Sequence, residues 1–478
     1  LDFLVVADHA EVLGAMPKLF AGDPTFAATP TGEALLRAAG SRSAKELQRV
    51  YDLLASMGSG VATPGAPAPQ QAYADLHGGE KRRSTWNELI DAAERYDQPG
   101  VFTALIGWEW SSQPGGGNIH RVVFTPQGGE VARQFLPFSA LESQDPEDLW
   151  RWLGETSQRT GADFIAIPHN ANLSNGAMFP LTRAKGQAID AEYAKTRARW
   201  EPVLEVTQIK GDSETHPMLS PNDEFADYET YNFVMTVERK TPDPTDADYA
   251  RAGLKRGLAL EAKLGTNPYK FGLIGSSDSH TGMSAVEETG FAGKSHHDAF
   301  PATRSEPAGL GAAKGWDMGA AGFVAAWATE NTRKGIYEAF KRREVYASTG
   351  PRITLRFFGG YDFGAADLKA KDLAANGYRK GVPMGGDLKA HGGRKAPTFL
   401  VAAMKDPQGA NLDRVQVVKG WLDADGNTQE RIYDVAVSDG RSIGADGRCA
   451  TAVGNTVDLN TGQYRNDIGA AELHTVWR

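Results

Sequence analysis

Cysteine is almost absent. Cys449 is the single one in 478 residues, which excludes an internal disulfide and a cysteine-based zinc site. Its sulfur is expected to be a small buried hydrophobe. Basic blocks are missing too: 51 Lys and Arg stand against 60 Asp and Glu, a net charge of −9. Neither nucleic acid nor an anionic membrane is therefore expected as a partner. No apolar run approaches the roughly 20 residues of a spanning helix. Internal repeats and low-complexity tracts are also lacking. The chain opens LDFLVVADH without Met, so no targeting segment can be read and a trimmed or processed piece is expected. Compartment and oligomeric state stay open.

What is present is an ordinary globular composition, 41% hydrophobic and 23% charged, in a chain long enough for two or more domains. Over roughly the first 350 residues, strand-like and helix-like segments alternate. This predicts a largely parallel α/β architecture. LDFLVVA (1–7), VFTALIG (101–107), NIHRVVF (118–124), DFIAIP (163–168), PVLEVTQI (202–209) and FGLIGSS (271–277) read as strands. Helices are expected at 43–57, 85–96 (boxed by Thr85 and Glu88), 146–160 (capped by Asp145), around 188–200, and at 332–345. The Gly/Pro/Ala-rich stretch 58–83 reads as an exposed loop. The Gly/Ala-rich excursion between Thr281 and Thr329 is too long for a simple connection, which suggests a functional loop. After STGPRI the segments turn β-rich between Gly, Asp and Asn turns, predicting a smaller antiparallel β-sandwich-like domain over 351–478 after a first domain over 1–350.

The strands share one habit. LDFLVVA ends in Asp8-His9, VFTALIG in Trp108-Glu109, DFIAIP in His169-Asn170, and FGLIGSS in Asp278 and His280. PVLEVTQI ends in Lys210. The carboxyl ends of parallel strands converge on one mouth, so residues distant in sequence can meet there. His120, inside NIHRVVF, joins them if that strand lies beside the mouth. Imidazoles with a carboxylate suit Zn²⁺, Mn²⁺ or Fe²⁺ better than Ca²⁺. Two or three such ions can generate a hydroxide nucleophile and clamp the oxygens of a displacement at phosphorus.

Several assignments keep two readings. Asp8 either ligates or, like Asn170, orients a ligand. Lys210 either faces an anionic substrate or is a surface lysine. Arg352, in STGPRI, either reaches the substrate or pins the β-rich region to the first domain. His77, His296, His297, His391 and His474 are expected to be solvated or structural. His216, in KGDSETHP, is the exception that could assist at the leaving group, and Asp212 and His216 are the first candidates for any ligand still missing.

The segments DFLVVADHAE, LIGWE, AIPHNAN and GSSDSH resemble motifs of the polymerase-and-histidinol-phosphatase (PHP) superfamily of metal-dependent hydrolases. With EETGFAGK, TRKGIYEAFKRREVYASTGPRI and the β-rich tail, nearly the whole chain resembles a bacterial PHP-like family known only as a domain of unknown function. The resemblance implies a distorted (β/α)₇ barrel holding two or three divalent ions, Zn²⁺ or Mn²⁺. It makes His9, Glu109, His120, His169, Asp278 and His280 the ligands, with Glu109 bridging. That superfamily opens on a His-x-His strand, and this sequence has no His-x-His; such a strand is expected just upstream of Leu1.

The function expected is hydrolysis of phosphate or related anionic esters by metal-bound hydroxide, with Glu109, Lys210 and His216 taking part and Lys210 and Arg352 binding the small anionic substrate. Sulfate esters, carboxylic esters or amides on the same site are the alternatives within hydrolases. A degenerate, non-catalytic binding module is the alternative outside them.

Overall fold

The structure is a computed structural model that describes residues 1–41, 69–231, 233, 243–282, 290, 292–295, 298–306, 313–319, 322–392 and 395–478. The helix expected at 43–57, together with His296 and His297, lies outside them. The protein is of mixed α/β class. A first sheet runs in the order β1 (Phe3–Val6), β2 (Thr103–Trp110), β3 (Arg121–Thr125), β4 (Ile165–Pro168). A second contains β5 (Val203–Gln208) between β6 (Gly211–Asp212) and β7 (Gly272–Gly275). A third pairs β8 (Phe323–Ala326) with β9 (Val345–Ser348). β4 packs beside β5, and β7 beside β8 and β9, so the three sheets curl around a common interior. They remain open. No closed barrel forms among the described residues.

Pairing is less uniformly parallel than the alternation of elements suggested. β1 with β2 and β5 with β7 are parallel, but β3 runs antiparallel to both β2 and β4. Such a reversal needs only a short connection, whereas a parallel return needs a long crossover. The segment 111–120 supplies that connection.

The eight residues of β2 are all buried, and their two faces have different neighbours, as the period of two requires. Ile106, Trp108 and Trp110 point into a core built with Trp86, Trp150 and Phe164 on the helix side. Leu105 faces the interior with Phe124, Ile167, Val203 and Ile274. Glu109 lies on that second face, two steps further along.

The helices at Pro146–Thr160, capped by the Asp145 carboxylate, and Ala191–Trp200 lie close to their expected places. The helix Arg333–Lys341 starts at a Thr332 cap but ends four residues short of Val345, which opens β9. Two expectations fail. Residues 69–83 are not an exposed loop, because helices span Pro69–His77 and Gly79–Tyr96. Thr85 is consequently not a cap: it lies inside the second helix, where its hydroxyl donates to the Lys81 carbonyl at 3.0 Å. His77 closes the first of these helices and is 2% exposed, hence structural rather than solvated.

Beyond residue 351, β10 (Thr354–Gly360), β11 (Gly381–Pro383), β12 (Thr398–Met404) and β15 (Glu472–Trp477) form one antiparallel sheet in the order β11-β10-β12-β15. β13 (Arg414–Leu422) and β14 (Thr428–Val437) form a separate hairpin packed on the helix Ala250–Leu264. Cys449 is free and buried. No helix of the described residues is long and apolar enough to cross a membrane.

Candidate metal-binding site

The parallel register of β1 on β2 recurs three residues beyond the strand, where His9 lies directly beside Glu109. The Glu109 N–H donates to the Asp8 carbonyl at 2.9 Å and the Ala10 N–H to the Glu109 carbonyl at 2.8 Å. Because β3 is reversed, its beginning, not its end, lies at the mouth. His120 stands there, just before Arg121, and its carbonyl accepts the N–H of His169, at 3.2 Å, just beyond the end of β4.

Three imidazoles therefore surround one carboxylate oxygen. Glu109 Oε1 is 2.7 Å from His120 Nδ1, 3.3 Å from His169 Nε2 and 3.5 Å from His9 Nδ1. Burial alone would raise the Glu109 pKa, but His9, His169 and the His120 contact hold it well below the usual range. Burial pushes His120 down to about 4, despite the opposing pull of Glu109. His169, equally buried, moves upward because Glu109, Glu205 and Asp278 together outweigh desolvation. His120 Nε2 and His169 Nδ1 are buried and have no hydrogen-bond partner among the described residues.

The other side of the mouth comes from β7 and the turn after it. Asp278 takes a left-handed backbone (φ 50°), tolerable for Asp, and the turn brings His280 Nε2 to 3.3 Å from His9 Nε2. Two groups of potential ligands result: His9, Glu109 and His120, and Glu109, His169 and Asp278. Within each, one ligand atom per residue lies within 4.8 Å of the others. Glu109 belongs to both, as a bridging carboxylate would. Facing histidine nitrogens, unpartnered buried ring nitrogens and a shared carboxylate are the donor set of N/O transition-metal sites, so the residues fit divalent ions of the Zn²⁺ or Mn²⁺ kind.

Lys210 is buried rather than on the surface, and its ammonium contacts Asp278 Oδ2. Four residues absent from the sequence expectations complete the surroundings. Ser111 Oγ contacts His9 Nδ1 and lies 3.3 Å from Glu109 Oε1. Glu11 Oε1 accepts the N–H groups of Ser111 and Ala140 at 3.3 and 2.6 Å. Glu205, buried on β5, contacts Ser276 Oγ, and burial raises its pKa. Lys294 Nζ lies 3.0 Å from Asp278 Oδ2 and 2.6 Å from His280 Nδ1; burial pushes it down to about 7. Lysine and desolvation together push His280 down to about 3.

Other expected residues do not join. His216 Nδ1 accepts the Met218 N–H at 3.2 Å and its ring lies against Tyr249. Asp212 accepts the N–H groups of Glu214 and Thr215, serving a turn rather than a ligand set. Asn170 is fully buried, with neither side-chain atom hydrogen-bonded to any of the described residues. Asp8 contributes its carbonyl to β2 as described. Arg352 lines the cavity below while its N–H is tied to Asp406 Oδ2 at 2.7 Å. His391 and His474 lie in the β-rich region, His474 beside Glu472 at 3.5 Å.

A cavity of about 1190 Å³ runs from this cluster along β1 to β8, lined by Leu4, Val6, Ile274, Phe323 and Val324 among others. Leu1, Leu4 and Val6 are exposed along it.

An α/β protein with two overlapping His/carboxylate groups at one sheet mouth is the class that these features define. The whole chain, residues 1–478, matches the family described as "Protein of unknown function (DUF3604)", and the chain belongs to that family. No curated protein and no solved structure matches it significantly.

Proposed function

We propose that this protein is a metal-dependent hydrolase of phosphate or related anionic esters, working on a site of two or three divalent ions at the mouth of a PHP-type (β/α)₇ barrel, with residues 351–478 as a β-rich accessory domain. The observation that carries this reading is the Glu109 carboxylate, ringed by His9, His120 and His169 and shared between two ligand groups. Such sharing is the arrangement that two adjacent ions require, and divalent ions held there supply an activated water and polarise an ester's oxygens.

The chain's own residues do the remainder. Glu109 holds the histidines together and neutralises cation charge. Ser111, anchored by Glu11, fixes His9. Asp278 and His280 close the opposite side, and Lys210 offers a buried positive charge to the anion. The cavity lined by both β1 and β8 residues supports the barrel-like reading, with the two strands on facing sides of one apolar trough.

The test is metal analysis of the purified full chain, followed by 4-nitrophenyl mono- and diesters of phosphate, 4-nitrophenyl sulfate and 4-nitrophenyl acetate. Bound transition metal and chelator-sensitive turnover of a charged ester are expected. Preference for the sulfate would shift the reading to the sulfatase alternative. A protein that takes up no metal, or works undiminished without it, would sink the proposal.

A further inference from the structure

The loop after β7 places a second buried lysine beside the first. Lys210 and Lys294 are 6% and 3% exposed, and both ammonium groups end on the same oxygen, Asp278 Oδ2. Lys294 has further partners in the Asp278 carbonyl and His280 Nδ1. Lys210 ends on Asp278, with the Glu109 and Glu205 carboxylates acting on it from further off. A buried ammonium is tolerated only when paired. Asp278 is also a member of the group formed with Glu109 and His169. Once its carboxylate serves a cation, as the hydrolase reading requires, the lysines lose the acceptor that they share.

The charges near that point give the same direction. Two carboxylates of the ligand groups, Glu109 and Asp278, stand against two lysines, Lys210 and Lys294. Each divalent ion bound there would add two positive charges to this group. The cavity lined by Ser277, Asp278, Ser279 and His280 borders Asp278, the carboxylate on which both lysines end.

From this we infer that Lys210 and Lys294 act as a two-ammonium clamp that reads substrate charge. Lys294 is a specificity-determining residue, and the site takes esters of tetrahedral oxyanions in preference to uncharged carboxylic esters and amides. The clamp grips the non-bridging oxygens of the anion, a role for Lys294 that rests on the hydrolase reading above but is separable from it.

The experiment uses the full chain loaded with Mn²⁺ or Zn²⁺ and measures calorimetric binding of inorganic phosphate and of inorganic sulfate, which distinguishes the two oxyanions without requiring turnover. Wild type is expected to bind at least one of them. Lys294→Met and Lys210→Met are each expected to weaken that binding about tenfold or more, with metal content per chain preserved, and Lys294→Arg to recover most of it. Should a methionine variant not fold, the side-chain ammonium NMR signals of the wild-type lysines are followed during phosphate addition, and both should shift. Oxyanion binding that is absent in wild type, unchanged in both variants, or accompanied by no change in the lysine signals overturns the clamp. A chain without metal or esterase activity that still binds the oxyanion through the two lysines would instead count against the hydrolase reading alone.

Discussion

Glu109 Oε1 and His120 Nδ1 lie 2.7 Å apart because β3 runs against β2. One residue sits near the end of its strand and the other immediately before the start of the next, and the turn between them folds both onto the same mouth. The distance reports the reversal directly: a parallel β3 would have carried its beginning to the opposite side of the sheet.

Glu109→Gln keeps the side chain's volume but removes the charge that both ligand groups share. Metal content at limiting metal should fall about tenfold or more, by analogy with the losses on altering partners of metal ligands. Elemental analysis after dialysis checks this. A variant that retains full metal would remove Glu109 from the site.

Asp278→Ala leaves two buried ammonium groups without their carboxylate. Stripping one partner from a buried ion pair typically costs about 3–5 kcal/mol, so the metal-free variant should lose about that much in urea unfolding. Adding Lys210→Met should restore part of it. Strict additivity of the two substitutions would show that the contact between Lys210 and Asp278 contributes nothing.

Gly275 ends β7 where there is no room for a side chain. A Cβ there would lie 2.9 Å from the carbonyl oxygens of Phe323 and Ser348 and from Thr207 Cγ2. Gly275→Ala should therefore push β7 away from β8 and cost about 1–3 kcal/mol, as overpacking does. Asp278, three residues on, should move with it and metal uptake should drop. Unchanged melting and metal content would show that the strands yield freely.

His77 predicts a pH effect away from the cluster. Burial, with Arg82 adding repulsion, pushes its pKa from 6.5 to about 3, against a smaller opposing pull from the Glu11 backbone; Tyr73 stacks on it. Between those two values the unfolded chain binds a proton that the folded chain refuses, so stability rises with pH through that window and is lost as pH falls. The contribution is at most about 1.4 kcal/mol per pH unit. Urea midpoints measured from roughly pH 4 to 7 should climb less steeply for His77→Phe than for wild type. Parallel curves would exclude His77 as their source.

Much of the mouth was legible because its residues follow apolar runs. His9, Glu109, His169, Asp278 and His280 each stand at or just beyond such a run, and the strands that carry them are local features of the sequence. The reversal of β3 was not legible, since hydrophobic pattern carries no sign of strand direction; His120 could only be placed conditionally. Glu205 did leave a signal, a carboxylate within PVLEVTQI, a segment otherwise without charge. Lys294 left only its place at the end of the EETGFAGK motif, because it lies in a Gly-rich excursion where neither period applies. His216 misled for the opposite reason: a turn rich in polar residues resembles a site, yet its hydrogen bonds serve the turn itself.

The meeting of His9 Nε2 and His280 Nε2 at 3.3 Å, across 271 residues of chain, has a topological consequence. An ion held by both rings would tie the beginning of the fold to a point well past its middle, in a chain whose lone cysteine allows no covalent tie. In the chain-entropy picture a link of that span restricts the unfolded chain by on the order of 5 kcal/mol, and long spans gain the most. Removal of metal would then act on this protein as reduction acts on a disulfide-bonded one, loosening the whole first half toward proteases as well as silencing the site.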